Sequence, residues 1–586
     1  MSSLQRIAFT LIVCLFAVVC IDGVIAAENG VRALAGAPHD FVGGPVCSPD
    51  PAYVPYTGIP VSSPNDETSP NETANLTVTR TALGALVSSD PLFKTTSGNF
   101  SPDRRHCASA FPTEEGKCMM VDGNMGKSYK DVYGQVFSPD SQCLAYIAKS
   151  GEKKSFVVIN GEEGGEYDRC EEITFSPDSK RVAYRAAAFL PEHKGCIVTD
   201  GIEGKSYPVV DKPIFSPDSK HVAYLTGTEL AALGDKKVSG KGFIVIDGKE
   251  VRQFDEVGTF VWSPDSAHWA CNIMVGKQHL VVQDGVDGEP CGWIFVPPIF
   301  SPDSKHLAYM AQAGDKVVVF QDGVEGKKYE RINYGYPHPF LFKDILPVFS
   351  PDSQHLAYVA KEENKYFIVQ DGVEGKKYGN KISGPLFSLD SKHLAYVASD
   401  APGEFLVVYD GVEGAKYGDI QFLTLGPDSS SIAYAASTKE GWCLVANGVE
   451  GGKYPKFHVL NPPLLRDLRS HTLPGCIFFS FDSKHIIYGV TTANNKMLVI
   501  VDGIKGKEYD GIGGLVVSPD SKHVAYTATA GLMTPNCRTF YVVDGTEVGE
   551  LGDMPVTGLI FDSPTKCHGI VRNGNAAYLI EIEIAP

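Results

Sequence analysis

The stretch Phe300-Ser301-Pro302-Asp303-Ser304-Lys305-His306-Leu307-Ala308-Tyr309 decides the fold, because the chain keeps returning to it. Ser-Pro-Asp begins at Ser101, Ser138, Ser176, Ser216, Ser263, Ser301, Ser350 and Ser518, with degenerate copies at Ser388, Gly426, Ser480 and Asp562. Most neighbouring copies lie about 37 to 40 residues apart, the span of one four-stranded propeller blade. Within a copy the apolar residues ending at Phe300 make a short strand. Ser-Pro-Asp-Ser then makes a type I turn, since proline presets the backbone at the second turn position and Ser and Asp side chains bond nearby amides. His-Leu-Ala-Tyr follows as a second strand, with leucine and tyrosine on one face and histidine and alanine on the other.

Working outward, the third strand is β-branched and apolar, as in Val317-Val318-Val319-Phe320, and runs into Asp322-Gly323. Asp-Gly is the hairpin signal of a type I′ turn, whose two central residues both need positive φ. It recurs at Asp122, Asp200, Asp247, Asp284, Asp371, Asp410, Asp502 and Asp544, with Asn160-Gly161 and Asn447-Gly448 as substitutes. A fourth strand ends in tyrosine, as at Tyr129, Tyr167, Tyr207, Tyr329, Tyr378 and Tyr509. Four short antiparallel strands cannot bury both faces alone, so the copies must stack, and radial stacking gives a propeller.

Phe300 to Tyr309 resembles the WD40-like repeat of TolB-type β-propellers, and the resemblance runs from about residue 98 to the end of the chain. It departs from that pattern in Ser304, where glycine is commoner, and in the segment Asp322-Gly323-Val324-Glu325-Gly326-Lys327-Lys328-Tyr329. The resemblance implies six blades per propeller. Twelve copies therefore predict an all-β chain of two six-bladed propellers in tandem, residues 98–340 and 341–586, divided at the long interval between Ser301 and Ser350. The last copy ends on Ala577-Tyr578-Leu579-Ile580 without a fourth strand, so Leu341 to Leu346 or Leu76 to Thr81 is expected to close it.

Arg6 followed by the apolar run Ile7 to Ile21 and the small residues Ala26 and Ala27 reads as a signal peptide over residues 1–27, which predicts a secreted, periplasmic or cell-surface protein. No later segment has the roughly 20 apolar residues of a membrane span. Residues 28–97, rich in Pro, Ser, Thr, Gly and Asn, read as a linker, with glycosylation acceptors at Asn71 and Asn75. Of 14 cysteines, Cys14 and Cys20 leave with the signal. Cys107 and Cys118 bracket one hairpin and are the expected disulfide; Cys271 and Cys291 read as small core residues. No C-x-x-C pair suggests zinc.

The formal charge of -18, without a basic run, argues against nucleic-acid or anionic-lipid partners. The repeated histidines at 106, 221, 268, 306, 355, 393, 485 and 523 open second strands of different blades, which predicts a folding role and no metal. There is no Gly-x-Ser-x-Gly elbow, His-Glu-x-x-His motif or phosphate loop, and no cofactor is expected. Variable connections, Thr226 to Lys241, Glu330 to Pro347 and Pro455 to Cys476, fall on the side opposite the Ser-Pro-Asp and Asp-Gly turns. Two of them carry Tyr334, Tyr336, His338 and Phe340, and His458, Arg466, Arg469 and His471, residue types that suit a binding surface or a packed junction. The expectation is a non-enzymatic binding or scaffold protein for a protein or glycan. A hydrolase or lyase with a channel-mouth site and a purely structural surface protein are the alternatives.

Overall fold

A computed structural model of the chain describes residues 76–85, 100–151, 154–188, 194–230, 238–332, 347–457, 476–532, 534, 537–549, 554–574 and 576–585. These residues form an all-β architecture of twelve antiparallel blades. The sixth is representative: Ile299–Phe300, Leu307–Ala313, Lys316–Gln321 and Val324–Glu325 pair in that order. The Asp-Gly turn has the backbone its letters require, with Asp322 at φ 52° and Gly323 at φ 77°. Leu307 through Met310, and Val318 through Phe320, are buried whichever way they point. Each blade has a neighbour on both faces, so its middle strands lose the usual polar alternation.

Twelve apolar clusters fill twelve junctions between consecutive blades. The junction between the sixth and seventh blades joins Met310, Val319 and Tyr329 to Leu356, Tyr358 and Phe367. Tyr329 meets Tyr358 and Phe367 edge-on, at centroid distances of 6.5 and 5.6 Å, a favourable use of aromatic quadrupoles. The sixth and seventh blades are thus joined by a junction built like its neighbours. Leu83, Cys107, Ile570, Ala577 and Leu579 join the twelfth blade to the first and complete the ring. Truncating one such side chain, Leu356→Ala for instance, should cost about 2–5 kcal/mol.

The strand that completes the twelfth blade comes from the N-terminal side. Leu76–Ala85 pairs antiparallel with Ala576–Ile584, from Leu76 opposite Ile584 to Ala85 opposite Ala576, with a bulge between Ala82 and Gly84. Leu83 is buried beneath it, and the Arg80 guanidinium lies 3.8 Å from the Tyr578 ring centroid. The linker therefore contributes the closing strand; the alternative, Leu341 to Leu346, lies outside the described residues. No helix among the described residues is long and apolar enough to cross a membrane.

The cysteine pairing needs correction. Cys107 and Cys118 are both buried and unbonded. The hairpin register sets Cys118 opposite Phe111, and the Asp122 amide bonds the Cys107 carbonyl, so the two thiols sit at positions 111 and 107 of the ladder. At about 3.3 Å per residue that separation is roughly 13 Å, well beyond the ~7 Å limit on Cα separation for a disulfide. Bracketing a hairpin is not the same as facing across it. Cys271 is fully buried, as read, and Cys291 is half-buried.

Candidate functional site

The Ser-Pro-Asp turn and the Asp-Gly turn of each blade are bonded to each other, which fixes them on one face. In the sixth blade Ser301 Oγ donates to Asp303 at 2.6 Å and accepts the His306 amide at 3.0 Å, while Asp303 accepts the Lys305 amide at 3.1 Å. His306 Nδ1 then lies 2.7 Å from Asp322 Oδ2, and Asp322 Oδ1 accepts the Leu307 amide at 2.9 Å. The Ser301 hydroxyl, seconded by the Lys305 amide and ammonium, holds the Asp303 carboxyl down at about 2. The same imidazole-to-carboxylate bond is made by His106, His221, His268, His355, His393, His485 and His523 to Asp122, Asp247, Asp284, Asp371, Asp410, Asp502 and Asp544, all at 2.6–2.7 Å. Several of these rings also lie over the next blade's aromatic residue, as His306 does over Phe349. The recurring histidine is a bracket between two turns. Among the described residues no cluster of three or more His, Cys, Asp or Glu could hold a metal ion.

Both departures from the TolB-type repeat are junction chemistry. Ser304 has φ 67°, a left-handed conformation that glycine adopts more cheaply. Its hydroxyl accepts the amide of Asp265 from the preceding blade at 2.9 Å, which glycine cannot do. Ten consecutive junctions carry this bond, from Asp103 to Ser141 at the first through Asp482 to Ser521 at the tenth. The Asp-Gly-Val-Glu-Gly-Lys-Lys-Tyr segment works at the outer rim. Lys376 Nζ and Tyr378 Oη both reach Glu413 of the next blade at 2.7 Å, and Lys205 and Tyr207 reach Glu250 at 2.7 and 2.9 Å. Burial and the Glu413 carboxylate push the Tyr378 phenol up, while Lys376 and Tyr378 hold the Glu413 carboxyl down. The valine of the segment takes no part and stays about 70% exposed at Val324, Val373 and Val412.

The opposite face holds the variable connections. After Gly227 the chain of the fourth blade leaves the blade and folds a small hairpin, Glu229–Leu230 paired with Val238–Ser239. The predicted binding residues Tyr334, Tyr336, His338, Phe340, His458, Arg466, Arg469 and His471 lie outside the described residues. Two open cavities flank the junction of the first and second blades. One, of about 680 Å³, lies on the variable face between Lys127, Tyr129, Lys149, Glu163 and Glu166. The other, of about 500 Å³, lies on the turn face against Met119, Met125 and Cys143. In the first cavity Lys127 and Tyr129 bind Glu163 at 2.6 and 2.8 Å and hold its carboxyl down.

Residues that the repeat reading did not single out gather where the twelfth blade meets the first. Arg104 stands where other copies carry the junction serine and donates to the Leu559 carbonyl at 3.1 Å. Arg105 binds Asp562 at 2.7 Å and Glu581 at 2.8 Å, which raise its guanidinium further. His568 lies buried beside them. Their signal in the sequence was degeneracy: the first copy has Arg104 for Ser, and the last begins at Asp562 without a Ser-Pro-Asp.

Sheets of this order, packed face to face and completed by a strand from the other end of the chain, define a multi-bladed β-propeller. No family model matches the chain and no curated protein matches it. Similar solved structures include TolB from Acinetobacter baumannii, 16% identical with a TM-score of 0.21 over 42% of this chain and 62% of that one. A putative TolB from Agrobacterium tumefaciens is 15% identical, with a TM-score of 0.19 over 36% of this chain and 84% of that one. The β-propeller domain of the Trilobed protease from Pyrococcus furiosus is 13% identical, with a TM-score of 0.22 over 48% of this chain and 94% of that one. Likenesses this distant carry no functional argument, and the class rests on the blades themselves.

Proposed function

We infer that the chain is an extracytoplasmic binding or scaffold protein, a repeat-only relative of TolB-type propellers, which engages a protein or glycan through the face opposite its Ser-Pro-Asp turns. One observation carries this reading. The turn face spends its polar groups on its own construction, in the histidine-to-aspartate and aspartate-to-serine bonds of successive blades. The opposite face is where copies differ in length, as in the hairpin Glu229–Leu230 with Val238–Ser239. Variable connections on a rigid scaffold are where recognition resides. On this reading Tyr334, Tyr336, His338 and Phe340 from one insertion, and His458, Arg466, Arg469 and His471 from another, supply aromatic and cationic contacts. The leader over residues 1–27 sets the compartment. The test is capture of partners from an extracellular or periplasmic fraction by the full mature chain and by a variant with the 330–347 loop shortened. Loss of a specific partner supports the assignment, and an unchanged set of partners refutes the chosen face.

A further inference from the structure

An exposed tryptophan stands where most copies of the repeat carry a charge. Of the chain's four tryptophans, Trp269 is buried, Trp262 and Trp442 are half-buried, and Trp293 is 57% exposed. Trp293 lies in the run that leads from the fifth blade into the sixth, where its carbonyl accepts the Gln312 amide at 2.9 Å and Ile294 bridges to Ala311. In most other blades the same register position is charged, as at Asp131, Glu256, Arg331, Lys381, Asp419 and Lys456. A charged side chain suits a wetted surface, and an indole there forgoes the burial that it gains elsewhere in the fold.

The local structure holds the ring in place. The Gly292 amide donates to the Gln312 carbonyl and the Phe295 amide to the Met310 carbonyl, at 2.8 and 3.1 Å, so the run is extended. Gly292 lets it lie flat against Gln312, whose backbone oxygen an added Cβ would meet at 2.8 Å, and Pro297 and Pro298 restrict the backbone just beyond. Ile294 is buried, and Phe295, two residues on from Trp293 and on the same side of the run, is 48% exposed. From the fifth blade His279 braces the indole edge-to-face, with ring centroids 5.2 Å apart and planes at 67°. His279 pairs there with Cys291, where other copies set a buried tyrosine, as Val317 does with Tyr329. All three rings lie on the variable face, since Gln312 and Gln278 are at the ends of Leu307–Ala313 and Gln278–Gln283 remote from the Ser-Pro-Asp and Asp-Gly turns.

We propose that Trp293, with Phe295 and His279, is a stacking platform for neutral pyranose units of a glycan. The proposal rests on the variable face being the binding face, and it narrows the ligand of that face to a sugar. A pyranose carries C–H groups on one face, which lie against an aromatic ring, and hydroxyls at its edge, which bond to water and to polar side chains. Trp293 and Phe295 stand roughly 6.6 Å apart along the run, so each ring can serve one of two consecutive sugar units. The exposed residues that flank the platform in sequence, Lys277, Gln278 and Glu289, are polar and balanced in sign, which gives an anionic ligand nothing to select it. The chain's charge of -18 disfavours an anionic ligand further. The insertion of residues 330–347 starts at this register position one blade on, beside Arg331–Ile332, which extends the same surface.

The test is calorimetric titration of the full mature chain with cellohexaose, maltohexaose, mannohexaose, xylohexaose and chitohexaose, and with hexagalacturonate as the anionic contrast. At least one neutral member should bind with a dissociation constant of about 1 mM or tighter. Trp293→Ala should weaken that binding about tenfold and Trp293→Phe less, while both variants keep the parent's urea midpoint because the indole is exposed. No binding of any neutral member up to about 10 mM, binding that survives Trp293→Ala, or preference for hexagalacturonate overturns the proposal. Capture of partners from the extracellular or periplasmic fraction separates this failure from that of the wider reading. If no sugar binds yet Trp293→Ala or the shortened 330–347 loop loses a protein partner, the face stands and the sugar falls. If no sugar binds and neither variant changes the partners, both fall.

Discussion

Replacing Ser353 separates two roles that one side chain combines. Its hydroxyl accepts the Asp303 amide across the sixth-to-seventh junction at 2.9 Å, it is 2% exposed, and its backbone sits at φ 66°. Ser353→Ala keeps the left-handed strain and strands a buried amide, a loss of about 1–2 kcal/mol. Ser353→Gly strands the same amide but relieves roughly 1 kcal/mol of left-handed strain, part of which returns as the entropy of a freer unfolded chain. The alanine variant should therefore be the less stable of the two by about 0.5–1 kcal/mol, and both should lie below the parent. Urea midpoints, together with exchange of the Asp303 amide, measure this. If Ser353→Gly equals or exceeds the parent while the Asp303 amide stays protected, the hydroxyl contributes nothing, and serine at this position of the repeat is unexplained.

Other consequences follow from the same network. The Asp303 carboxyl, held at about 2 by the Ser301 hydroxyl and its neighbours, lies below its unfolded value of about 3.9, so its contribution persists above pH 4 and is lost as the pH falls through 2; carboxyl NMR through an acid titration should show this. Cys107, Cys170 and Cys196 are buried with thiols raised to between about 11 and 12, and Cys537 is exposed. Alkylation of the native protein at pH 8 should label Cys537 first, and non-reduced peptide maps should lack a Cys107–Cys118 crosslink. Deleting residues 76–85 should expose the edge of Ala576–Ile584 and drive association of chains, detected by light scattering, whereas Leu83→Ala alone should cost about 2–4 kcal/mol with the ring intact.

What could be read from the letters was whatever the chain decides locally. The Ser-Pro-Asp and Asp-Gly turns and the strands between them need only a few consecutive residues, and each is found where the repeat places it; the alternation expected of Leu307-Ala308-Tyr309 is not, because both faces are buried. Partners one repeat away were out of reach. Asp265 and Ser304 are 39 residues apart, and nothing in either marks the other as its partner. His306 and Asp322, 16 residues apart, read as a strand-opening residue and a turn residue, without the bond between them. Cys107 and Cys118 failed for the opposite reason: the hairpin was right, but its register sets the thiols at different rungs. The closing strand Leu76–Ala85 has no repeat character, so only the missing fourth strand of the last blade pointed to it.

That strand ties the ring to the order of synthesis. Leu76–Ala85 leaves the ribosome some 490 residues before its partner Ala576–Ile584, and it has no other rung to occupy meanwhile. A product that stops early, at whatever blade, keeps an unmated strand and a first blade bare on one side. Residues 576–584 thereby act as a receipt for the blades before them, and exposed β-edge distinguishes a fragment that lacks them from a chain in which the pairing is made.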